Sequence, residues 1–306
     1  MNVQMMAAKY RETGSDHAFS IINGLILTFI LIVSVYPIWF VLCASISDPV
    51  AVNTGKMLLW PKNITFSGYA GVFKNPNVLT GYRNTFFYTF FGTLINLGVT
   101  LPAAYALSRR DFVGNRFFTV VFLITMFFSG GLIPTYMIIN KLNLVNTVWV
   151  LLLVGATGMT NIILSRTFFI NSIPAEMQEA AQIDGCSNFR LFFGIVLPLS
   201  KPIIAVMTLF FAVGHWNQYF TAMIYISDPK LKPLQLVLRD ILVESEFNAK
   251  MIEQGVIDVG EISERLRLKE LIRYSLIVVA TLPVMCIYPF IQKYFVKGVM
   301  IGAIKG

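Results

Sequence analysis

Between residues 179 and 198 the chain reads Glu179-Ala180-Ala181, then Gly185, then Ile195, Leu197 and Pro198. These residue types do not make or break bonds; they suit docking. Pro174 can open a helix, where its missing N–H costs nothing. Glu176 suits the positive end of that helix. Met177, Ala180 and Ala181 share a face at i, i+3 and i+4, and the two alanines leave room for close approach. Glu179 and Asp184 add charge. Gly185 stops the helix, because glycine alone takes the left-handed conformation cheaply. Ser187 is placed to cap a second helix. Phe189, Phe192, Phe193 and Ile195 make that second helix apolar enough to lie on a membrane domain, and Leu197-Pro198 ends it. Such a helix–turn–helix either seats in a groove of a partner or simply connects two spans at the interface.

A second constellation is His215-Trp216-Asn217-Gln218-Tyr219, flanked by Gly214 and Phe220. It begins about 12 residues beyond Pro202, or ~18 Å up a helix, in the outer half of a span. Aromatic faces with amides suit sugar rings, and they equally suit an interfacial aromatic belt. Asn96, Asn161, Ser129 and Thr125 are further candidates for a polar pathway. Bond-making chemistry is poorly represented. No GxxxxGK[ST] phosphate loop occurs, so no nucleotide is expected through one. His17 and His215 stand in no metal or triad arrangement, and Cys43, Cys186 and Cys286 match no ligand spacing. No cofactor or metal is expected on this chain.

The elements that must carry these residues are membrane spans. The 306 residues are 56% hydrophobic and only 13% charged, and mean hydropathy is +0.68. Charges cluster and leave runs of about 20 apolar residues, each able to cross a bilayer as a helix. The expected fold is all-α: a polytopic protein with six spans near 19–43, 85–107, 117–139, 147–165, 202–225 and 273–295. Gly155, Gly158 and Asn161 interrupt the fourth. The net charge of +8 fits cytoplasmic loops and anionic lipid better than nucleic acid, since no basic run interleaved with aromatics occurs. Lys9, Arg11, Arg109, Arg110, Arg116, Lys293, Lys297 and Lys305 fall on one side, densest in short loops. That places both termini and the 166–201 loop inside.

The domain reading follows: an inner segment 1–18, the six-span core 19–295 with outer loops 48–84 and 226–272, the inner loop 166–201, and an inner tail 296–306. In 226–272, Leu234, Leu238, Ile241 and Leu242 share a helical face, and Glu261–Arg265 is an i,i+4 pair. These form either surface helices or an external lid. Pro102, Gly130, Gly131, Pro134, Pro283 and Pro289 break spans 2, 3 and 6, either beside a pathway or for packing alone. The spans hold no Asp or Glu, which ion-coupled carriers usually need. A stand-alone secondary carrier or channel remains the alternative to a pathway energised by another subunit.

Glu179, Ala180, Ala181, Gly185, Ile195, Leu197 and Pro198 match every defining position of the "EAA loop" of ABC importer permeases. Residues 104–118, 126–138, 165–169 and 294–306 also resemble the maltose-type carbohydrate uptake permeases, in the branch similar to permeases for polysaccharide-derived sugars. One departure is Cys186, where alanine is usual. The resemblance implies a non-catalytic permease subunit in the bacterial cell membrane. It would form half of a pathway with a second permease subunit, as a heterodimer. Its partners would be two ATPase subunits that hold ATP and Mg, an extracellular solute-binding lipoprotein, an oligosaccharide and lipid. Coupling to the ATPase would fall on Glu179, Ala180, Ala181, Asp184, Gly185, Leu197 and Pro198.

Overall fold

A computed structural model describes residues 14–253 and 272–286, with side chains placed up to residue 244 in the first stretch. Every regular element among them is helical. The chain begins with α1 (Gly14–Ser45), 32 residues long, exposed on all sides until its buried end at Cys43–Ser45. The short helices α2 (Pro49–Asn53) and α3 (Ser67–Lys74) follow in the expected outer loop.

The axis of the molecule is α4 (Pro76–Ser108), a 33-residue helix that continues through Pro102, where a break is expected from the sequence. It starts nine residues before the expected span because the local signals are strong. Asn75 caps it by accepting from the Asn77 N–H at 3.0 Å, and Pro76 sits in the first turn where no donor is needed. Along its length Asn84, Thr85, Thr93, Asn96 and Thr100 are buried. Asn84, Thr85, Asn96 and Thr100 bond to later segments of the chain, and several of the later helices pack on α4.

The expected spans 3, 4 and 5 are not single rods. The third is α5 (Asn115–Phe127) and α6 (Leu132–Lys141), bent by 115°. Gly131 at φ +83° supplies the turn. The fourth is α7 (Val148–Leu153) and α8 (Met159–Ser172), separated at Gly155–Gly158, with Gly155 at φ +76°. Beyond α9 (Ala175–Ile183), α10 (Asn188–Leu191) continues through a π turn (Phe192–Val196) into α11 (Leu197–Leu199). The chain then bends by 84° into α12 (Lys201–Trp216). The fifth span is thus α12 plus α13 (Phe220–Tyr225), broken at 217–219. A 3₁₀ turn at Pro229–Leu231 leads to α14 (Leu234–Glu253), and the last described helix is α15 (Ile272–Cys286).

Two of these helices, α1 and α4, are long and apolar enough to cross a membrane alone, and the two bent pairs raise that to four. The protein is therefore an all-helical membrane protein with several apolar spans. Leu234 is fully buried beside Val72, Val78, Leu276 and Ala280, with Leu238 and Ile241 packed on the same cluster. The first expected helix of 226–272 thus lies on the bundle by the predicted face. Glu261–Arg265, Pro289, residues 1–13 and the tail 296–306 fall outside the described residues.

Proline in α15 shows how a broken ladder is repaired. Pro283 has no N–H, which orphans the carbonyl of Val279 four residues back. Tyr82 donates its hydroxyl to that carbonyl, and Trp216 Nε1 donates to the next one, Ala280, at 3.0 Å. Tyr82→Phe leaves a buried carbonyl unpaired and is expected to cost about 1–3 kcal/mol. A lowered midpoint in thermal unfolding of the detergent-solubilised protein checks this; an unchanged midpoint refutes it.

Candidate functional site

Two sites emerge, one within the bundle and one at the end of α4 that carries Arg109. The inner one is a cavity of about 440 Å³ between α4, the α7–α8 break and the α12–α13 break. It gathers Asn96, Asn161, His215, Asn217, Gln218 and Tyr219 from the sequence candidates, together with Gly155, Phe210, Phe211 and Thr221. None of its lining side chains is Asp, Glu, Lys or Arg.

Broken helices explain why polar residues converge here. Each break frees backbone groups that the bilayer cannot solvate. Gln218 Nε2 donates to the Leu151 carbonyl at 3.2 Å, at the end of α7. In its satisfied orientation, Asn96 donates to the carbonyls of Gly92 (2.9 Å) and Ala156 (3.1 Å), while its oxygen faces His215 Nε2 at 3.1 Å. Thr100 and Thr157 pair their hydroxyls at 2.9 Å. His215 Nδ1 lies 3.3 Å from Gln218 Oε1; a neutral ring carries one N–H and donates to only one of these two amide oxygens, so the ring sits between two amides. Asn96 and Gln218 therefore hold the wall together as well as lining it. Asn161, Asn217 and Tyr219 border the open side.

Three sequence candidates lie elsewhere. Trp216 is buried against Tyr82 and Phe86, with its N–H on Ala280. The α15 carbonyl draws it to the face away from the cavity. Ser129 sits in the α5–α6 connection, its hydroxyl accepting from the Gly131 N–H at 3.2 Å, and so serves the turn. Thr125 bonds the Phe122 carbonyl of its own helix.

One residue that sequence reasoning missed is Gly92. The His215 ring lies over it so closely that a Cβ there would stand 2.4 Å from ring atoms. Its signal was a glycine inside an otherwise regular apolar helix. Gly92→Ala must displace a ring wedged between two amides and is expected to cost about 1–3 kcal/mol. Thermal unfolding of Gly92→Ala beside the control Gly98→Ala, where a Cβ meets open space, checks this; equal midpoints refute it.

The second site is the 174–200 helix–turn–helix. Gly185 takes φ +70° as the sequence requires, and Ser187 caps the second helix by accepting from the Arg190 N–H at 3.3 Å. Pro174 is the residue just before α9, one position earlier than expected. The faces differ from expectation. Ala181 is 7% exposed and joins the main core, with Met177 and Cys186 packed on it. The small face expected to meet a partner is split, because Ala181 turns inward. The outward stripe is Glu176, Glu179, Ala180 and Ile183, at i, i+3, i+4 and i+7, with Ile183 87% exposed. In the second helix Leu191, Phe192 and Val196 are buried, whereas Phe189 and Phe193 point outward, 74% and 50% exposed. Leu197 packs on the core while Pro198 is exposed in the last turn before the bend.

Beside this hairpin lies a cleft of about 660 Å³, between Tyr105, Arg109 and Asp111 on one wall and Asn188, Phe189 and Phe192 on the other. Arg109, 7% exposed, forms a two-pronged ion pair with Asp111: Nε donates at 2.8 Å, and a second bond runs from NH2. The guanidinium holds the Asp111 carboxyl below the usual carboxylate range. In turn the Arg109 guanidinium is held further up by the bond to Asp111.

A family model describing the binding-protein-dependent transport system inner membrane component matches residues 78–301. The chain belongs to this family. It is a multi-pass inner-membrane component, and within such a transport system the permease is the non-catalytic part. Protein LplC of Bacillus subtilis (strain 168) is 35% identical over 295 residues, covering 96% of this chain and 97% of that protein. The polygalacturonan/rhamnogalacturonan transport system permease protein YtcP of the same organism is 38% identical over 287 residues, covering 94% and 97%. A solved bacterial ABC transporter involved in the import of the acidic polysaccharide alginate superposes with a TM-score of 0.83. Its identity is 34%, and it covers 92% of this chain and 98% of that one.

Proposed function

We propose that this permease subunit imports an oligosaccharide through a six-span pathway and takes its energy from an ATPase docked on α9. The observation that carries the coupling reading is the outward stripe of α9. Glu176, Glu179 and Ala180 lead to Ile183, a large apolar side chain almost wholly exposed in a polar loop. Together these residues offer a partner an apolar anchor, a small residue for close approach and two charges to meet. Gly185 fixes the angle between this helix and the one that lies on the core. Asp184, Leu197 and Pro198 shape the two ends of that lever. The termini and the 166–201 segment face the cytoplasm, two ATPase subunits hold ATP and Mg, and a second permease subunit completes the pathway as a heterodimer. A lipoprotein delivers the sugar from outside. ATP closure of the ATPase dimer then moves the lever between two discrete states.

Carbohydrate is supported by the cavity and by the polygalacturonan/rhamnogalacturonan and alginate systems to which the chain is similar. Its uncharged wall of amides and aromatics supplies hydrogen bonds to hydroxyls and faces for sugar rings. Asn161, Asn217 and Tyr219 carry this role, with Asn96, His215 and Gln218 behind them.

Glu179→Lys reverses the charge of the stripe without touching the core. It is expected to lower ATPase co-purification by at least about tenfold, since a buried interfacial charge clash costs several kcal/mol, while membrane insertion stays normal. Uptake into proteoliposomes, compared for neutral and uronate-containing oligosaccharides, is expected to require ATP. ATP-independent uptake supports a stand-alone carrier instead.

A further inference from the structure

Between α2 and α3 the chain does not rise away from the end of α1; it turns back along it. Tyr36, Trp39 and Cys43 share one face of α1 at i, i+3 and i+7, and all three reach this loop. Trp39 Nε1 donates to the Leu59 carbonyl at 2.7 Å. The Tyr36 hydroxyl donates to the Leu58 carbonyl at 3.5 Å, and the Cys43 thiol lies 3.6 Å from the Leu59 oxygen. Before this point Met57 is buried, with its N–H on the Ala51 carbonyl at 3.1 Å. After it the chain climbs back. The Lys62 N–H donates to the Ser47 hydroxyl at 3.2 Å, its carbonyl accepts from the Asp48 N–H at 3.0 Å, and the Thr65 N–H donates to the Ile46 carbonyl at 2.9 Å. Lys62 and Thr65 therefore lie level with Ile46–Asp48, whereas Leu58 and Leu59 lie level with Tyr36–Cys43. Trp39 stands six residues before the end of α1 at Ser45, or ~9 Å along its axis. Helical side chains lean towards the N-terminus, which takes the Trp39 ring deeper still.

The tip of this loop is apolar and open. Leu58, Leu59 and Trp60 are each more than half exposed. Trp60 meets Trp39 edge-on, with ring centroids 5.8 Å apart at 89°. Exposed Lys56 and Lys62 bracket the stretch. The tip is also continuous with the apolar surface of α1, which is exposed from Phe19 to Leu42 and is long enough to cross a bilayer alone. About 20 residues of hydrocarbon counted from Phe19 end at the turn that holds Tyr36 and Trp39, and so beside the tip.

We infer that Leu58, Leu59 and Trp60 form a membrane anchor, seated in the lipid beside α1 at the boundary between headgroups and acyl chains. Tryptophan is enriched at that level, where its ring has an apolar body and one donor. Lysines on either side keep their stems on apolar surface and their charges among the phosphates. Non-helical backbone close to hydrocarbon has little water to bond, and here side chains of the span itself take the Leu58 and Leu59 carbonyls. A protein partner fits this tip less well, because lysine is depleted at the centre of protein interfaces and two of them bracket a short apolar stretch. The anchor gives α1 a fixed depth. Its buried residues within the bundle are confined to Cys43, Ala44 and Ser45, so the loop is a second hold on the outer end of the span.

The test uses the assembled transporter in nanodiscs of phosphatidylethanolamine and phosphatidylglycerol, with Cys43, Cys186 and Cys286 replaced by serine. A nitroxide is attached at Leu58→Cys and, in a separate protein, at Leu59→Cys, with Trp60→Cys as a third site should either fail to insert. Power-saturation EPR reads collisions with oxygen, which partitions into lipid, and with a nickel chelate, which stays in water. The labels are expected roughly 5–10 Å below the phosphates, with oxygen access exceeding nickel access. Nickel access exceeding oxygen access puts the tip in water and overturns the anchor. Low access to both reagents puts it against another protein surface and overturns it equally. Neither nucleotide nor sugar is added, so the outcome is independent of the docking and substrate readings.

Discussion

Within a bilayer no water is available to a backbone amide or carbonyl, and that constraint shapes nearly everything distinctive in this chain. A straight helix meets it internally. This protein breaks its helices at Gly130–Gly131, Gly155–Gly158, Ser200 and 217–219, and at the Gly155–Gly158 break and at Pro283 side chains take over for the lost ladder bonds. Asn96 reaches Ala156, Gln218 reaches Leu151, and Tyr82 and Trp216 reach the carbonyls around Pro283. The cavity exists because two breaks face each other across α4. Its polar lining is there first because the breaks demand it. A pathway for a hydroxyl-rich solute can then use the same groups, since amides that cap a broken helix retain further hydrogen-bonding capacity.

The unbroken helix has the complementary role. With 33 residues in one rod, α4 carries Asn96 and Gly92 at the cavity and Arg109 at the end beside the 174–200 hairpin. Rigid and broken elements thus alternate. The breaks allow rearrangement around the cavity, and the rod fixes the distance between the cavity and the hairpin. An all-or-none switch needs both, because packed elements move between discrete arrangements and do not deform smoothly.

Much of this was legible in the sequence. Hydrophobic runs marked the spans, glycines and prolines marked where they are interrupted, and the Gly185 turn with its Ser187 cap came directly from local conformational preference. The cluster around His215 and the distant Asn96 and Asn161 were recognised as polar residues in apolar surroundings, and the fold brings them together. What was not legible required knowing which way a face turns. Ala180 and Ala181 are adjacent and equally small, yet one points out and the other joins the core, a choice set by the helices beneath. Trp216 belongs by sequence to the His215 cluster, but a helix turns 100° per residue, and the Ala280 carbonyl on α15 claims it. Gly92 gains meaning only from His215, a partner more than a hundred residues away in the chain.

The central claim is that the face of α9 bearing Glu176, Glu179, Ala180 and Ile183 is covered by an ATPase. Site-specific cross-linking tests it most directly. Single cysteines at Ile183 and at Met177, in a background without the native three, are treated with a short bifunctional reagent in membranes that contain the co-expressed ATPase. The account predicts a strong cross-link from Ile183 and none from Met177, which packs on the chain's own core. No cross-link from Ile183, or an equal one from Met177, would contradict it.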